Sequence, residues 1–580
     1  MPQLQNLNKK SIPIHVHCVN YCSQRPDTPN SEPLAQLQSV RFKPVVPDGG
    51  MPQAQSLTPI NVPLLSKLLK GFPDKETLCK GFTNGFKFHF SGTESQMEAR
   101  NSQSANLHAD AVDAKLASEL SKGRVAGPFK DPPLPNFKCS PLAIREKAVP
   151  GTYRLLHNLS YPYDESSVNG GIDQCHKTVK YASLQSAIKV INQLGRGCFM
   201  AKADIQSAYR IVPIHPSQHH LLGFKWRNHY YYDKYLPMGM AEACSMFERI
   251  SDGFVYVFKK FGVTNIVKVL DDFLILDTTE IDCNCSLKKF IFICNALSIP
   301  LVEAKTSQSA TQEIVFLGVK LDSRLMMASL PNDKLNRYSR DAKAVVSSPT
   351  IKNRDLLSLI GKLHFATTVI PIGKPFLRRL IDATKGSSLH SAIRVTEGMK
   401  LDISMWQSFL EKYNGVSVIT PYHECLASSI NLYSDASDLG YGGTYGSNWI
   451  QGQWNDHWKS LNIAVRELYP ILILAEMFGH LWRNQSILIH CDNQAIVAII
   501  KKQSSKNATI MTLLRPLILN LMLNNVKFKI SYIRSENNTV ADAISRFQVS
   551  PTLLAQYGLR DSPVPTPANL CPEVFIPSNE

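Results

Sequence analysis

Two sets of acidic residues stand where ordinary folding would not put them. In the first, Ala203-Asp204-Ile205-Gln206-Ser207-Ala208-Tyr209 ends an apolar strand-like run on an acid and turns into a short helix. It is answered by Val267-Lys268-Val269-Leu270-Asp271-Asp272-Phe273-Leu274-Ile275-Leu276, an apolar β run interrupted by two adjacent acids. Adjacent carboxylates in an apolar setting are costly unless a cation compensates them, and Mg²⁺ takes oxygen ligands from one or two carboxylates together with substrate phosphates. A two-metal phosphoryl-transfer site is the chemistry implied. The bland alternative is a strand-ending turn, but apolar residues resume at once as FLIL, which suits a hairpin with acids at its tip.

The second set is Asp435 in NLYSDASDLGYGG, Glu467 in AVRELYPILILAE, Asp492 closing ILIHCDN and Asp542 in TVADAISR. Singly, each has a trivial reading: Asp492 as a helix cap, Glu467 as a surface residue, Asp542 as a first-turn acid favoured by the helix dipole. Their order matters more. An acid on a first strand, a helical Glu, an acid closing a central strand and an acid on a last helix can converge on one edge of a mixed sheet, again as a two-metal hydrolytic site.

The elements that must position these acids follow from patterning. Residues 1–58 are rich in Pro, Gln, Asn and Ser and read as a flexible leader. Residues 59–127 turn helical in pieces, near 64–72 and 111–123, and 128–325 alternate strands with helices. Over 326–429 helices dominate, clearest at Arg354 to Val369 and Pro375 to Thr384. A new α/β unit fills 430–548, with strands at INLYSDAS, GGTYG, SILIHCDN and KFKISYIRS, a long apolar helix from Ala464 to Trp482, further helices after Asn493 and Asn507, and a closing helix at TVADAISRF. Residues 549–580 carry six prolines from Pro551 onward and read as a tail or linker.

The 580 residues exceed what one hydrophobic core organises, so roughly three to five domains of about 100–200 residues are expected. Lys and Arg number 63 against 47 Asp and Glu, a net charge of +16 that would draw a polyanion by counterion release. No signal-like N-terminus and no run of about 18 apolar residues is visible, so a soluble, intracellular protein of cytoplasm or nucleus is expected, with no membrane partner. The 13 cysteines have no framework spacing and read as buried free thiols. The clusters His15, His17, Cys18, Cys22 and Cys283, Cys285, Cys294 lack paired CxxC halves, so structural cysteine is favoured over zinc.

Over residues 120–325 the text resembles a reverse transcriptase. TYRLLHNLSYP looks like the fingers strand, which implies that Arg154 contacts the incoming triphosphate. KADIQSAYRIVPIHP is similar to the first catalytic motif, implying metal binding by Asp204 and, for Tyr209, the aromatic gate that excludes a ribose 2′-hydroxyl. YLPMGMAEACSMFERI resembles the motif whose Pro237, Met238 and Gly239 line the nucleotide and template pocket. VLDDFLIL resembles the hairpin that carries the other two carboxylates, Asp271 and Asp272. IPLVEAKT places Lys305 near the triphosphate, and EIVFLGVKLDS looks like the primer-grip hairpin. Val269 stands where many relatives have tyrosine and Met238 where retroviral enzymes have glutamine. Neither change removes a charge that the mechanism needs. Arg145 and Lys147 are alternatives for a second triphosphate contact.

Residues 430–547 resemble ribonuclease H, whose four metal-ligand positions carry over onto Asp435, Glu467, Asp492 and Asp542. The loop YIRSENNTVADAISR lacks the histidine some relatives place there, and Asn493 and Gln494 are candidate contacts to the RNA strand.

Together the resemblances imply a multidomain α/β and α+β fold: a right-hand polymerase of fingers, palm and thumb, then a helical connector and a ribonuclease H-like mixed-sheet domain. They imply an RNA-directed DNA polymerase coupled to cleavage of the RNA strand, with two Mg²⁺ per active site and Mn²⁺ as a substitute. Its partners would be an RNA template, a DNA primer, the RNA–DNA hybrid and deoxynucleoside triphosphates. LSYPYDESSVNGGI, DISMWQSFLEKYNGVSVI and SDASDLGYGG look most like the DIRS-like group of tyrosine-recombinase retrotransposons, in which a recombinase usually follows; here it would be encoded separately. Two rivals stay open: a domesticated or decayed element that binds RNA or hybrid without catalysis, and a chain in which only the hydrolytic half works.

Overall fold

The computed structural model describes residues 57–147, 150–412, 417–418, 430–483, 485–524 and 526–575. The expected leader, but for its last two residues, and the His15, His17, Cys18, Cys22 cluster lie outside the described residues.

The first acid set is carried by a three-stranded antiparallel sheet of β1 (Phe199–Asp204), β2 (Ile266–Val269) and β3 (Asp272–Asp277), with β3 in the centre. Alternation along β3 explains its unbroken apolar run. Phe273 and Ile275 join a core with Phe247, Ile250, Phe254 and Phe258 of helix α1 (Ala243–Lys260) and Phe290 of helix α2 (Glu280–Ala296). Leu274 and Leu276 point the other way, into a core with Met200, Ile191, Ile314 and Phe316. Fully burying these four side chains contributes about 1.5–3 kcal/mol each, which helps offset the cost of drawing acids into the open end of the strand. On α1 the buried positions 243, 246, 247, 250, 254, 257 and 258 recur at helical spacing, so one face meets the sheet.

The hairpin Leu142–Glu146 and Tyr153–His157 is in register at Arg145 and Arg154, and His157 N–H at its end donates to the Met238 carbonyl at 3.3 Å. Helix Ala109–Ser121 packs behind it, through Val112 and Leu116, with Leu142, Ile144 and Phe224. EIVFLGVKLDS forms the hairpin Glu313–Phe316 and Val319–Asp322. Helices Asn332–Val346, Asn353–Ala366, Arg378–Ala383 and Glu397–Lys412 follow. The helix expected from Pro375 opens as a 3₁₀ turn, Pro371–Leu377, and becomes α-helical only at Arg378, because a proline cannot donate to the helical ladder.

The second acid set is carried by a five-stranded sheet of β4 (Ile430–Ala436), β5 (Gly440–Tyr445), β6 (Asn448–Gln453), β7 (Ser486–Cys491) and β8 (Lys527–Tyr532). In space the order is β6-β5-β4-β7-β8, antiparallel from β6 to β4 and parallel from β4 to β8. Helices α3 (Ile463–Phe478) and α4 (Ala508–Leu523) cover one face with Leu468, Leu472, Leu514 and Leu517. Helix α5 (Thr539–Ser545) covers the other with Val540 and Ile544.

The reading of residues 549 onward as a tail is corrected by the structure. Pro551–Tyr557 is a helix, and the segment after it lies along the sheet: Val564 N–H donates to the Trp449 carbonyl (2.8 Å), and the Trp449 and Trp458 indoles donate to the carbonyls of Arg560 (2.8 Å) and Phe575 (3.1 Å). Buried indoles need acceptors, and a proline-rich backbone is richer in carbonyls than in N–H groups. The same composition that suggested a linker suits a strap over Trp449, Trp454, Trp458 and Tyr469.

Among the described residues no helix is long and apolar enough to cross a membrane, and the described cysteines are free thiols. On α2, Cys283 and Cys294 are buried in the core shared with α1, and Cys285 is exposed.

Candidate active sites

β1 and β3 run antiparallel with Asp204 directly opposite Asp272, and β3 is joined to β2 by a two-residue turn, Leu270-Asp271. Ile205 N–H donates to the Asp271 carbonyl at 3.0 Å, which ties that turn to the end of β1. The structure thus brings Asp204, Asp271 and Asp272 together. Lys305 Nζ donates to Asp204 Oδ2 at 2.7 Å. Burial, a hydrogen bond with Asp204 and the charge of Asp271 push the Asp272 carboxyl up to about 6. Asp271 is raised too, mainly by burial, with Lys305 and Arg154 pulling against the rise. Two carboxyls raised in this way, with the Asp204 carboxylate beside them, are a hard oxygen donor set that a divalent cation fits.

A cavity of about 210 Å³, which none of the three acids lines, is bounded in part by Lys147, Arg154, Ser207, Arg210, Pro237 and Met238. Lys147 therefore faces this space beside Arg154. Tyr209 sits on a 3₁₀ turn, with its hydroxyl 3.2 Å from Cys244 Sγ and its ring edge-on to Phe247; burial raises its phenol well above the usual range. Gly239 has φ +124°, and a Cβ there would lie 2.0 Å from the His157 carbonyl oxygen, so only glycine lets this loop close on the fingers strand. Asn169 holds the loop from both sides: its Nδ2 donates to the Gly239 carbonyl and its Oδ1 accepts from Ala241 N–H, each at 2.8 Å. Arg210 bridges Glu119 (2.8 Å) and Asp233 (2.7 Å) in a buried network behind Tyr209.

In the second set, Asp435 lies near the end of β4, Glu467 on α3, Asp492 just past β7 and Asp542 on α5. Ligand atoms of Glu467, Cys491 and Asp492 fall within 4.8 Å of one another. Burial, with the charges of Asp492 and Asp542 added, pushes Asp435 up to about 6. Burial and then the charges of Asp435 and Asp492 push Glu467 up to about 9. Glu467 Oε2 is buried and accepts no hydrogen bond. An orphaned carboxylate oxygen among other carboxylates fits a bound divalent cation. Ser545 Oγ donates to Asp435 Oδ2 at 2.6 Å, and Arg546 Nε to Asp542 Oδ1 at 2.7 Å. Asn493 Oδ1 accepts from Ala495 and Ile496 N–H, capping the helix Gln494–Lys502, and Gln494 is exposed.

A family model described as reverse transcriptase (RNA-dependent DNA polymerase) matches residues 149–321, the span that holds Arg154 and the three acids of the first site. The chain carries a reverse transcriptase domain. A second model, described as reverse transcriptase-like, matches 478–548 and so reaches Asp492 and Asp542. Asp435 and Glu467 lie before that match, and it is the sheet that unites them with it. The chain is 21% identical over 393 residues to a putative enzymatic polyprotein of Cassava vein mosaic virus, covering 65% of this chain and 57% of the relative. It is 21% identical over 375 residues to the retrovirus-related Pol polyprotein from transposon 297 of Drosophila melanogaster, covering 62% and 32%. The chain thus spans less than two thirds of either polyprotein.

Similar solved structures include a foamy viral protease-reverse transcriptase with double-stranded DNA (14% identity, TM-score 0.46, 84% of each chain). Another is a foamy viral protease-reverse transcriptase with RNA/DNA hybrid (14%, TM-score 0.47, 83% of this chain and 64% of that one). In architecture the chain has the three-stranded antiparallel sheet of the first acids, then the helices from Asn332 to Lys412, then the five-stranded mixed sheet of the second acids.

Sequence reading missed Asn169 in the reverse transcriptase domain, although SSVNGG marks a turn there. It also missed Ser545 and Arg546, which sit three and four residues after Asp542 and so on its helical face.

Proposed function

We propose that this chain copies RNA into DNA and cleaves the RNA strand of the resulting hybrid, as part of a retroelement. The observation that carries the reading is the cross-strand pairing of Asp204 with Asp272, with Asp271 directly before Asp272 in the β2–β3 turn, where the charge of Arg154 acts on it. Asp204, Asp271 and Asp272 would hold two Mg²⁺, or Mn²⁺ in their place. Such ions ease deprotonation of the primer 3′-hydroxyl and offset the charge on departing pyrophosphate. Arg154, Lys147 and Lys305 bind the triphosphate of the incoming deoxynucleotide. Tyr209, held by Cys244 and Phe247, blocks a ribose 2′-hydroxyl, and Pro237, Met238 and Gly239 line the template side.

In the second site Asp435, Glu467, Asp492 and Asp542 would hold the ions that serve hydrolysis. There Ser545 and Arg546 orient Asp435 and Asp542. Residues 128–325 serve as fingers and palm, 326–429 as thumb and connector, and 430–548 as the hydrolytic domain. Within retroelements, the strings around Ser167, Asp402 and Asp438 favour the DIRS-like group.

Primer extension on an RNA template with Mg²⁺ and deoxynucleotides tests the reading, with Asp271→Ala alongside. Extension by the parent and none by the variant is the expected result. Salt-sensitive hybrid binding without extension by either protein would favour a non-catalytic binding role instead.

A further inference from the structure

The two acids of the hairpin stand on a turn whose backbone needs outside support. Leu270 has φ +55°, a left-handed conformation that side chains other than Asn and Asp rarely adopt, and it directly precedes Asp271. Its N–H is held from a different element: Glu248 Oε2, on α1, accepts it at 3.2 Å. The other oxygen, Glu248 Oε1, meets Lys268 Nζ at 2.6 Å, and Lys268 also reaches Asp252 (2.9 Å) and the Glu248 carbonyl (3.2 Å). Both Glu248 and Lys268 are buried.

A buried ion pair contributes little net stability compared with a well-packed apolar pair, so the fold alone gives no reason for one here. An apolar side chain, however, could not accept the Leu270 N–H. The same helix also reaches the nucleotide side: the Pro237-Met238-Gly239 loop leads into it, Cys244 Sγ lies against the Tyr209 hydroxyl at 3.2 Å, and Phe247 packs on the Tyr209 ring. Cys244, Phe247 and Glu248 fall within about one turn, on one face.

We propose that Glu248 is a positioning residue that locks the acid-bearing turn to α1, so that one rigid helix sets the spacing between Asp271 and Asp272 and the Tyr209 gate. The inference rests on the polymerase reading of this site, and its test separates the two.

The full chain carrying Asp492→Ala, to quiet the hydrolytic site, is titrated with Mn²⁺ and followed by electron paramagnetic resonance. Adding Asp271→Ala identifies the signal of the first site, and primer extension is measured on the same preparations. Glu248→Leu is expected to weaken Mn²⁺ binding and lower kcat, each by about 10-fold or more, with KM for deoxynucleotide changed by less than about 3-fold. Glu248→Gln keeps an oxygen for the Leu270 N–H while Lys268 keeps Asp252, and should recover most of both losses. Asp252→Asn, which alters only the half-exposed end of the pair, should match the parent. Parent-like Mn²⁺ affinity in folded Glu248→Leu overturns the inference. So does an equal loss in Glu248→Gln accompanied by a lowered melting temperature, which would mark a purely structural residue, and so does a parent with no Asp271-dependent Mn²⁺ signal. A parent that binds Mn²⁺ through Asp271 but extends no primer removes the polymerase reading and leaves Glu248 to be judged on Mn²⁺ affinity alone.

Discussion

In the polymerase-side cluster a cation stands among the acids: Lys305 lies 2.7 Å from Asp204 on a side chain that is 61% exposed. In the second cluster no cation bonds the buried Glu467 carboxylate oxygen. Arg546 holds Asp542, Arg466 bonds Asp438 and the Ser437 carbonyl, and the buried oxygen of Glu467 has no donor. The first site carries its own counter-charge on a flexible stem that a triphosphate can recruit. The second leaves its charge deficit to whatever ion it binds. On the proposed function, a site that must admit a polyanionic substrate at every cycle gains from a movable amine, whereas one that acts on a hybrid backbone needs only fixed acids.

That contrast can be broken most sharply by separating the sites. Asp271→Ala should cost at least about 10³-fold in extension and leave hybrid cleavage within about 3-fold, and Asp492→Ala should do the reverse; a paired extension and cleavage assay decides. If either variant loses both activities, the clusters do not act independently.

The next effect concerns stability. Burial holds the Glu467 carboxyl up at about 9, above its ordinary 4.5, so the folded chain keeps a proton that the unfolded chain releases. Stability is therefore lost as pH rises from about 4.5 towards 9. Glu467→Gln should abolish cleavage yet raise the melting temperature of metal-free protein at pH 8 by several degrees, on the order of a few kcal/mol. Excess Mg²⁺ should stabilise the parent more than this variant. Asp204→Asn should bring no such gain, because its carboxylate already has Lys305. Equal shifts in the two variants would erase the distinction.

The smallest expected effect is on the pH profile of extension. With Asp272 at about 6, the rate should fall as pH drops through that value. Lys305→Met removes a charge that favours the carboxylate, so the acidic limb should move to higher pH by about half a unit.

The acids were legible in the sequence because each interrupts or ends an apolar run, a local signal that needs no knowledge of the fold. The palm strands and the long helix of the hydrolytic domain were legible for a related reason: period-2 and period-3.6 patterning survives in the linear text. Their supports were not. Glu248 reaches Leu270 across 22 residues, Asn169 reaches Ala241 across 72, and Ser545 reaches Asp435 across 110. The helix cap made by Asn493 Oδ1 is likewise set by the fold. The prolines after Pro551 looked like a linker because composition reports what a segment cannot do, such as donate hydrogen bonds, and says nothing of the indoles awaiting its carbonyls.

By itself the sequence determined which carboxylates exist, on which kinds of element, and in what order, because acid placement and apolar period are properties of short windows. Only the tertiary structure decided which cation each acid meets, which oxygen is left without a partner, and which helix steadies the turn. Those depend on distances between residues far apart in the chain, and the electrostatics of a buried carboxylate is governed by such distances.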